Sequence, residues 1–345
     1  MNVTHRLGDL FVMMVAASLC GASTATEFAL FAAERRQALS RLIVYERAPS
    51  HDTFSRLLRL LDPEAFGQAF TAFTGALRDA WGGVVALDGK TLRRAYEKGL
   101  SACPPLTVSA FAHETRLCLA ATSPQTGDQT GDQTGDNEVE AALRVIELID
   151  IEGKLVTADA LHCHRRMAQS VIGKGGDYLL ALKGNRRTWQ AAATCSFAAP
   201  GIASAEHTEL SHGRNEWRRA EVVEVTAPLM AGHRAFVRLT SQRDQQRPLV
   251  RLFMTSATLS PQQALDHTRA HWQIENGLHW ILDVHLHEDL SRARKGHAPA
   301  NIALLNRIAI NILRNAEPGK VPIRHRIKKC AWNDDYLIHA LTHMR

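Results

Sequence analysis

From residue 8 to about 80 the apolar positions recur at three- and four-residue steps, the spacing of one face of a helix. The pattern predicts helices over about 8–20 and 24–39. A third follows the turn Pro49-Ser50-His51-Asp52-Thr53-Phe54, with Leu57, Leu58 and Leu61 on one face. A fourth restarts at Asp62-Pro63-Glu64 and carries Phe66, Phe70 and Phe73. Thr24 with Glu27 three residues on reads as a capping box. Pro63 sits at the first helical position, where a missing N–H is tolerated. From about 84 the period shortens. Val84-Val85-Ala86-Leu87 is an apolar run that ends in Asp88-Gly89-Lys90, and Leu106 to Phe111 and Leu117 to Ala121 flank a hairpin tip at His113–Arg116. Helix and strand then alternate: helix Glu138–Ile149, strand Leu155–Ala158 ending in Asp159, and helix Arg165–Ile172. Strand Tyr178–Leu182 follows, ending in Lys183-Gly184-Asn185, and then a helix from Arg187 to about Cys195. Three antiparallel-type strands followed by alternation predict a mixed α/β sheet with helices on both faces.

From about 205 to 256 the texture is polar and β-rich, over Arg218–Val225, Ala235–Thr240 and Leu249–Thr255. Pro261 to about Val284 returns to helix, Asn301–Leu313 is a strongly apolar helix, and Arg324–Lys329 is a basic cluster. The organisation expected is a small all-helical N-terminal module over 1–80 and an α/β domain over 81–345. A tandem Thr-Gly-Asp-Gln tetrad between about 126 and 137 reads as a flexible loop. Its carboxylates do not follow the calcium-loop spacing.

Composition narrows the partners. Hydrophobic residues at 45% and charged residues at 22% of a 345-residue chain suit a globular protein with a real core. A net charge of +6 and a pI near 9.1 point to a polyanion such as nucleic acid, or simply to a basic protein. The six cysteines are scattered without a C-x-x-C pair and read as reduced, mostly buried thiols. Leu10–Cys20 imitates a secretory leader but is too short to span a bilayer, and reads instead as a buried helix.

Candidate chemistry gathers at strand ends. Asp88 and Asp159 each close an apolar strand, where a carboxylate is held rigidly with its oxygens exposed, as a hard divalent cation requires. Asp-Gly is also the commonest of turn dipeptides, so Asp88-Gly89 admits a purely structural reading. Glu275, on a predicted helix, would complete a two-metal clamp. His271, Glu275, Leu278, His279 and Leu282 fall along one face of that helix. Glu288 is the rival third carboxylate, near a helix end; Glu275 is preferred because it lies within a regular helix. Trp272 and Trp280 read as core anchors.

The flanking text is similar to a known family. Ala86-Leu87-Asp88-Gly89-Lys90-Thr91-Leu92-Arg93, Val156-Thr157-Ala158-Asp159-Ala160-Leu161-His162 and Gly176-Asp177-Tyr178 through Lys183-Gly184-Asn185 resemble successive motifs of the DDE transposases of bacterial insertion sequences. So do His212-Gly213-Arg214-Asn215-Glu216 and the long run His271-Trp272-Gln273-Ile274-Glu275-Asn276-Gly277-Leu278-His279-Trp280, with Leu282-Asp283-Val284 and Glu288-Asp289. The resemblance is to the ISAs-type, H-repeat-associated group, runs over nearly the whole chain, and covers the N-terminal module as well. It implies an RNase H-like catalytic core with a β-rich insertion before the helix bearing Glu275. Asp88, Asp159 and Glu275 would bind two Mg²⁺ ions, with Mn²⁺ able to substitute. The implied reaction is hydrolysis at the element's end, then attack of the freed 3′-hydroxyl on target DNA. The implied partners are double-stranded DNA with terminal inverted repeats, target DNA and a second subunit, in the cytoplasm at the nucleoid and with no membrane.

Lys90, Arg93, Lys183, Asn185, His212, Arg214, His271, Arg292, Arg294 and Lys295 are the candidate DNA contacts, extended by Arg186 and Arg187. Where the wider family carries a Tyr, an Arg and a Lys around its Glu, this chain has Thr268, His271 and Leu282. An inactive DNA-binding remnant is the alternative function. A zinc enzyme using His162-Cys163-His164 and His285-Leu286-His287 is a further one, though the spacing matches no zinc motif.

Overall fold

The structure, a computed structural model, describes residues 5–75, 83–95, 104–124, 137–211, 213–317 and 319–342. The tetrad repeat lies outside the described residues except for Asn137, and Cys103 and His212 lie outside them as well.

The N-terminal stretch folds into α1 (Leu7–Leu19), α2 (Ala25–Glu34), α3 (Arg36–Leu39), α4 (His51–Leu60) and α5 (Pro63–Gly75). The expected capping box is formed: the Thr24 hydroxyl accepts from the Glu27 amide at 3.2 Å, and Glu27 accepts from the Thr24 amide at 2.9 Å. The helix expected over 24–39 breaks at Arg35 into two. The leader-like run is α1, and Met13, Met14, Ala16, Ala17 and Leu19 on it are buried. Its cover comes from the far end of the chain: α11 (Ala298–Asn315), α12 (Ile323–Trp332) and α13 (Asp334–Thr342) share one apolar core with α1, α2 and α4. The helical module is thus closed by C-terminal helices, and the basic run Arg324–Lys329 is part of one of them.

Nine strands form one sheet in the order β3-β2-β1-β4-β5-β9-β8-β7-β6. β1 (Val84–Thr91) pairs antiparallel with β2 (Leu106–Ala112), which pairs antiparallel with β3 (Cys118–Thr122). On its other side β1 runs parallel to β4 (Leu155–Ala158), and β4 runs parallel to β5 (Asp177–Leu182). Such parallel pairs need crossovers; α6 (Glu138–Leu148) and α7 (Arg165–Gly173) lie on the paths into β4 and β5. The polar β-rich stretch is a meander of β6 (Ser204–Ser211), β7 (Arg214–Glu224), β8 (Ala235–Arg243) and β9 (Leu249–Thr255), joined to β5 through β9. It therefore extends the same sheet. The strand that the pattern does not announce is β6, whose residues are mostly polar.

α6, α7 and α8 (Arg187–Ser196) cover one face. α5, α9 (Pro261–His271) and α11 cover the other. α11 is apolar nearly all round, as a fully buried helix must be. Two of its asparagines tie it to neighbouring backbone: the Asn301 amide donates to the Leu58 and Leu61 carbonyls at 2.8 Å each, and Asn311 brackets Cys118 with bonds of 2.9 and 2.7 Å. No helix among the described residues is long and apolar enough to cross a membrane. Among the described cysteines all are free, three of them buried.

Candidate active site

The β1–β4 register pairs Leu87 with Ala158. Asp88 and Asp159 are each the next residue, so two carboxylates leave the same edge of the sheet from neighbouring parallel strands, about 4.8 Å apart in backbone. β1 does not stop at Asp88 as expected; it runs on to Thr91 against β2. Ladder bonds on that side fix the backbone beneath the carboxylate. Asp88 Oδ1 accepts from the Gly89 amide at 2.9 Å, and Asp159 Oδ1 accepts from the Leu161 amide at 2.8 Å. The Asn185 amide donates to the Ala160 carbonyl at 2.8 Å, which ties the end of β5 to the loop after Asp159.

Glu275 reaches this edge from a segment that departs from regular helix. α9 ends at His271, Ile274–His279 forms a π-helix, and α10 (Trp280–Val284) resumes. The expectation of an uninterrupted helix through Glu275 is corrected by that wide turn, a feature that recurs at functional sites. Two neighbours fit it. The Arg314 guanidinium donates to the Gly277 carbonyl at 2.7 Å, and Phe111 lies where a side chain on residue 277 would begin, 3.2 Å from an ideal Cβ. Ile274, Leu278 and Leu282 plug the segment into the core, and Glu275 stays exposed.

The electrostatics bind the three acids together. Burial pushes the Asp88 carboxyl up to about 7; the Gly89 amide bond opposes this, and the charges of Glu275, Asp159 and Glu138 add to it. His279 Nδ1 lies 3.5 Å from Asp88 Oδ2, but burial and the cations Arg307 and Lys90 bring that ring down to about 3, so it is neutral near pH 7. His271 shares a 3.1 Å hydrogen bond between Nδ1 and the Thr157 hydroxyl, and burial brings it down to about 4. Negative charge on the three acids thus has no cationic histidine against it. Among the described residues no three His, Cys, Asp or Glu side chains stand close enough, as they lie, to grip one metal ion. The donor set is nonetheless all-oxygen, partly exposed and mutually repelling, which suits a hard cation.

Glu288 is different in kind. It is 1% exposed and paired at 3.0 Å with Arg307, itself fully buried and bonded to the Ser109 hydroxyl at 2.8 Å. This sealed pair holds α11 to the 3-10 turn Glu288–Leu290 and to β2.

The predicted basic residues divide. Lys90 is 6% exposed and held at 2.6 Å by Asp283 and 3.1 Å by Asp289, so the expected phosphate contact is instead a buried strut that ties β1 to α10 and to the turn beyond it. Alternation places Lys90 on the same side of β1 as Asp88. Arg93 is exposed, with Asp289 at 3.9 Å. Lys183 is exposed at the end of β5, and its charge reaches His271. His271 lies half-buried against β4, behind the carboxylates. Arg292, Arg294 and Lys295 are exposed on the loop before α11, and Arg294 donates to the Arg94 carbonyl at 3.2 Å. Arg186 donates to the Cys163 carbonyl and lies over Trp189, while Arg187 is exposed. Arg214 opens β7, its side chain outside the description, like His212 beside it. Of the zinc-reading residues, His164 is spent as a helix cap, accepting from the Met167 amide at 3.1 Å. Trp280 is 53% exposed, so the expected core anchor is corrected; it sits on the outer side of α10.

Two residues near the site escaped the sequence reading. Arg251 of β9 lies over the Trp272 ring at 4.7 Å and feels the charge of Glu275. Glu138, the first residue of α6, faces β1. Neither sits in a distinctive motif; only the sheet order brings them there.

Comparisons with known proteins identify the family. Residues 83–312 match the family described as Transposase DDE domain, and residues 1–74 match its associated family, described as DDE_Tnp_1-associated. The chain is 29% identical over 366 residues to the H repeat-associated putative transposase YhhI of Escherichia coli strain K12, covering 99% of this chain and 93% of that protein. It is 29% identical to the putative transposase YncI of Escherichia coli O157:H7, covering 99% and 90%. It is 32% identical over 277 residues to an uncharacterized protein in the dhlA 3′ region of Xanthobacter autotrophicus, covering 75% and 90%. Among solved structures, piggyBac transposase in a synaptic complex with hairpin DNA aligns with a TM-score of 0.44 at 12% identity, over 99% of this chain and 75% of that one.

Proposed function

This chain belongs to the transposase DDE-domain family, with H-repeat-associated relatives, and from that premise we propose that it cuts DNA at the ends of an insertion element and joins the freed 3′-hydroxyl to target DNA. The reading places Asp88, Asp159 and Glu275 as the ligands of two Mg²⁺ ions, or of Mn²⁺ in their place. The observation that carries it is the register of β1 and β4, which sets Asp88 and Asp159 side by side within electrostatic reach of Glu275. The order β3-β2-β1-β4-β5, with only β2 antiparallel to its neighbours, supports an RNase H-like core. Residues 81–345 are proposed as that catalytic domain and 1–80 as its helical associate.

Bound divalent cations supply a polarised phosphodiester and an activated oxygen. The chain's own part is to hold the acids with their charge uncompensated and to position the backbone of the nucleic acid. Arg93, Lys183, Arg292 and Lys295 are exposed cations suited to phosphate, and the Asn185 bond keeps Lys183 fixed relative to Asp159. His271 and His279 stay neutral, so they neither quench the acids nor repel a metal. Bridging two element ends calls for two copies, proposed as a homodimer on DNA bearing terminal inverted repeats.

The test is a nicking and strand-joining assay on duplexes that carry the inverted repeats flanking the gene, with Mg²⁺ or Mn²⁺ and with EDTA. Cation-dependent cleavage abolished by Glu275→Gln is expected. Binding without cleavage under every cation condition would leave a DNA-binding remnant and overturn the enzymatic reading.

A further inference from the structure

Glu138 opens α6 and looks at first like an ordinary acid in a helix's first turn, where it would favour the dipole. Its neighbour two residues on behaves in that way: Glu140 is gripped by Arg166 at 2.5 and 2.8 Å. Glu138 has no such arginine among the described residues. Asn137 caps the helix with its own side chain, accepting from the Val139 and Glu140 amides at 2.9 and 3.2 Å, which frees the Glu138 carboxylate from that task.

The carboxylate instead occupies the space left open at Gly89. A Cβ built on residue 89 would overlap Glu138 Oε1 and lie 2.8 Å from its Cδ. Glycine at 89 is therefore what lets a fourth acid lie against β1, one residue beyond Asp88. Behind it stands His162, three residues past Asp159. That ring is 1% exposed, neither ring nitrogen makes a hydrogen bond, and Nε2 points at Glu138 Oε1 from 3.7 Å. A buried imidazole without hydrogen bonds next to a carboxylate calls for an explanation, because burying polar groups unpaired costs free energy. Both groups lie beside the acid pair at the β1–β4 edge, and the charge of Glu138 is among those that raise Asp88.

We infer that Glu138 is a fourth carboxylate of the cation site, delivered by α6 through the gap at Gly89 and oriented by His162. The inference rests on the metal-binding reading of Asp88, Asp159 and Glu275. Its consequence is that this site presents four acids from four separate elements, with α6 controlling how tightly a cation is held.

The test is a Mn²⁺ titration followed by the electron paramagnetic resonance signal of free Mn²⁺, on the full chain without DNA. Wild type, Glu138→Gln, Glu140→Gln and Asp88→Asn are compared, with the thermal midpoint of each metal-free protein as the fold control. Glu138→Gln is expected to weaken Mn²⁺ binding by about 10- to 100-fold, the range for groups that support a metal site, while its midpoint and the binding by Glu140→Gln stay at wild-type values. Gly89→Ala, which displaces the carboxylate without removing it, is expected to weaken binding in the same direction. Undiminished Mn²⁺ affinity in both Glu138→Gln and Gly89→Ala overturns the inference while leaving the triad intact. Absence of Mn²⁺ binding by wild type, with Asp88→Asn indistinguishable from it, overturns the metal reading itself.

Discussion

In the meander at one end of the sheet, the acids Glu209, Glu216 and Glu221 are each gripped by arginine. Glu209 is held by Arg269 and Arg218 at 2.6 and 2.9 Å, and Glu216 by Arg218 and Arg243. Glu221 is held by Arg238 through two bonds of 2.6 and 2.7 Å, and Arg219 adds a longer contact. These pairings hold Glu209 down at about 2 and keep Glu221 below its ordinary range. Around β1 and β4 the reverse holds: Asp88 is pushed up to about 7 with three other acids nearby. The same residue types therefore mean opposite things in the two regions. Where charge is balanced within the protein, it serves the fold. Where it is buried and left without a cationic partner beside other acids, as at Asp88, the carboxyl holds its proton far more readily than a free one.

The sharpest way to break this comparison is to remove one acid from each kind of site. Glu275→Gln is expected to lower cation-dependent DNA cleavage by on the order of 10³-fold, the scale of losing one preorganised electrostatic group, with the denaturation midpoint unchanged. A loss of stability matching the loss of activity would place Glu275 with the structural acids. Glu288→Gln is expected to do the opposite. It leaves Arg307 charged and unpaired in the core, a cost of about 3–5 kcal/mol, read by urea denaturation. If Glu288→Gln folded as well as wild type yet failed to cleave, Glu288 would replace Glu275 as the third acid.

A smaller effect is expected at the π-helix. Gly277→Ala brings a methyl against Phe111, and overpacking of this kind costs about 1–3 kcal/mol. Activity should fall further than that instability accounts for, because Glu275 sits two residues away; equal Mn²⁺ affinity in Gly277→Ala and wild type would show that the wide turn does not position the acid. The smallest effect belongs to Glu209. Its carboxyl is lowered from 4.5 to about 2 in the folded state, so the stability it contributes is present above about pH 4.5 and is lost as pH falls toward 2. Glu209 is 22% exposed on its side chain, so the contribution is about 1 kcal/mol. Glu209→Gln should be less stable than wild type by that amount at pH 6, and the gap should close by about pH 2; a gap independent of pH would mean that the arginines hold α9 to β6 without Glu209.

Much of the arrangement was legible in the chain itself. Strand β4 and helix α6 begin where the pattern predicts, because a short apolar run and a 3.6-residue stripe are local signals. The capping box at Thr24 is equally local. The meander was harder, since β6, Ser204–Ser211, carries Glu206, His207 and Glu209 with few apolar residues and gives no alternation of burial to read. Lys90 departs from its expected role for a different reason. Its sequence neighbour Asp88 is at the site, but its partners Asp283 and Asp289 lie almost two hundred residues away.

Local chemistry along the chain determined the elements, the apolar runs that lead into Asp88 and Asp159 and the motif around Glu275, since propensity, capping and period act over a few residues. Tertiary structure alone decided which charges would be neighbours. Coulomb energy depends on distance in space, and only the sheet order and the burial around it distinguish Glu288, sealed against Arg307, from Glu275, open at the edge, or bring Glu138 to the gap beside Asp88.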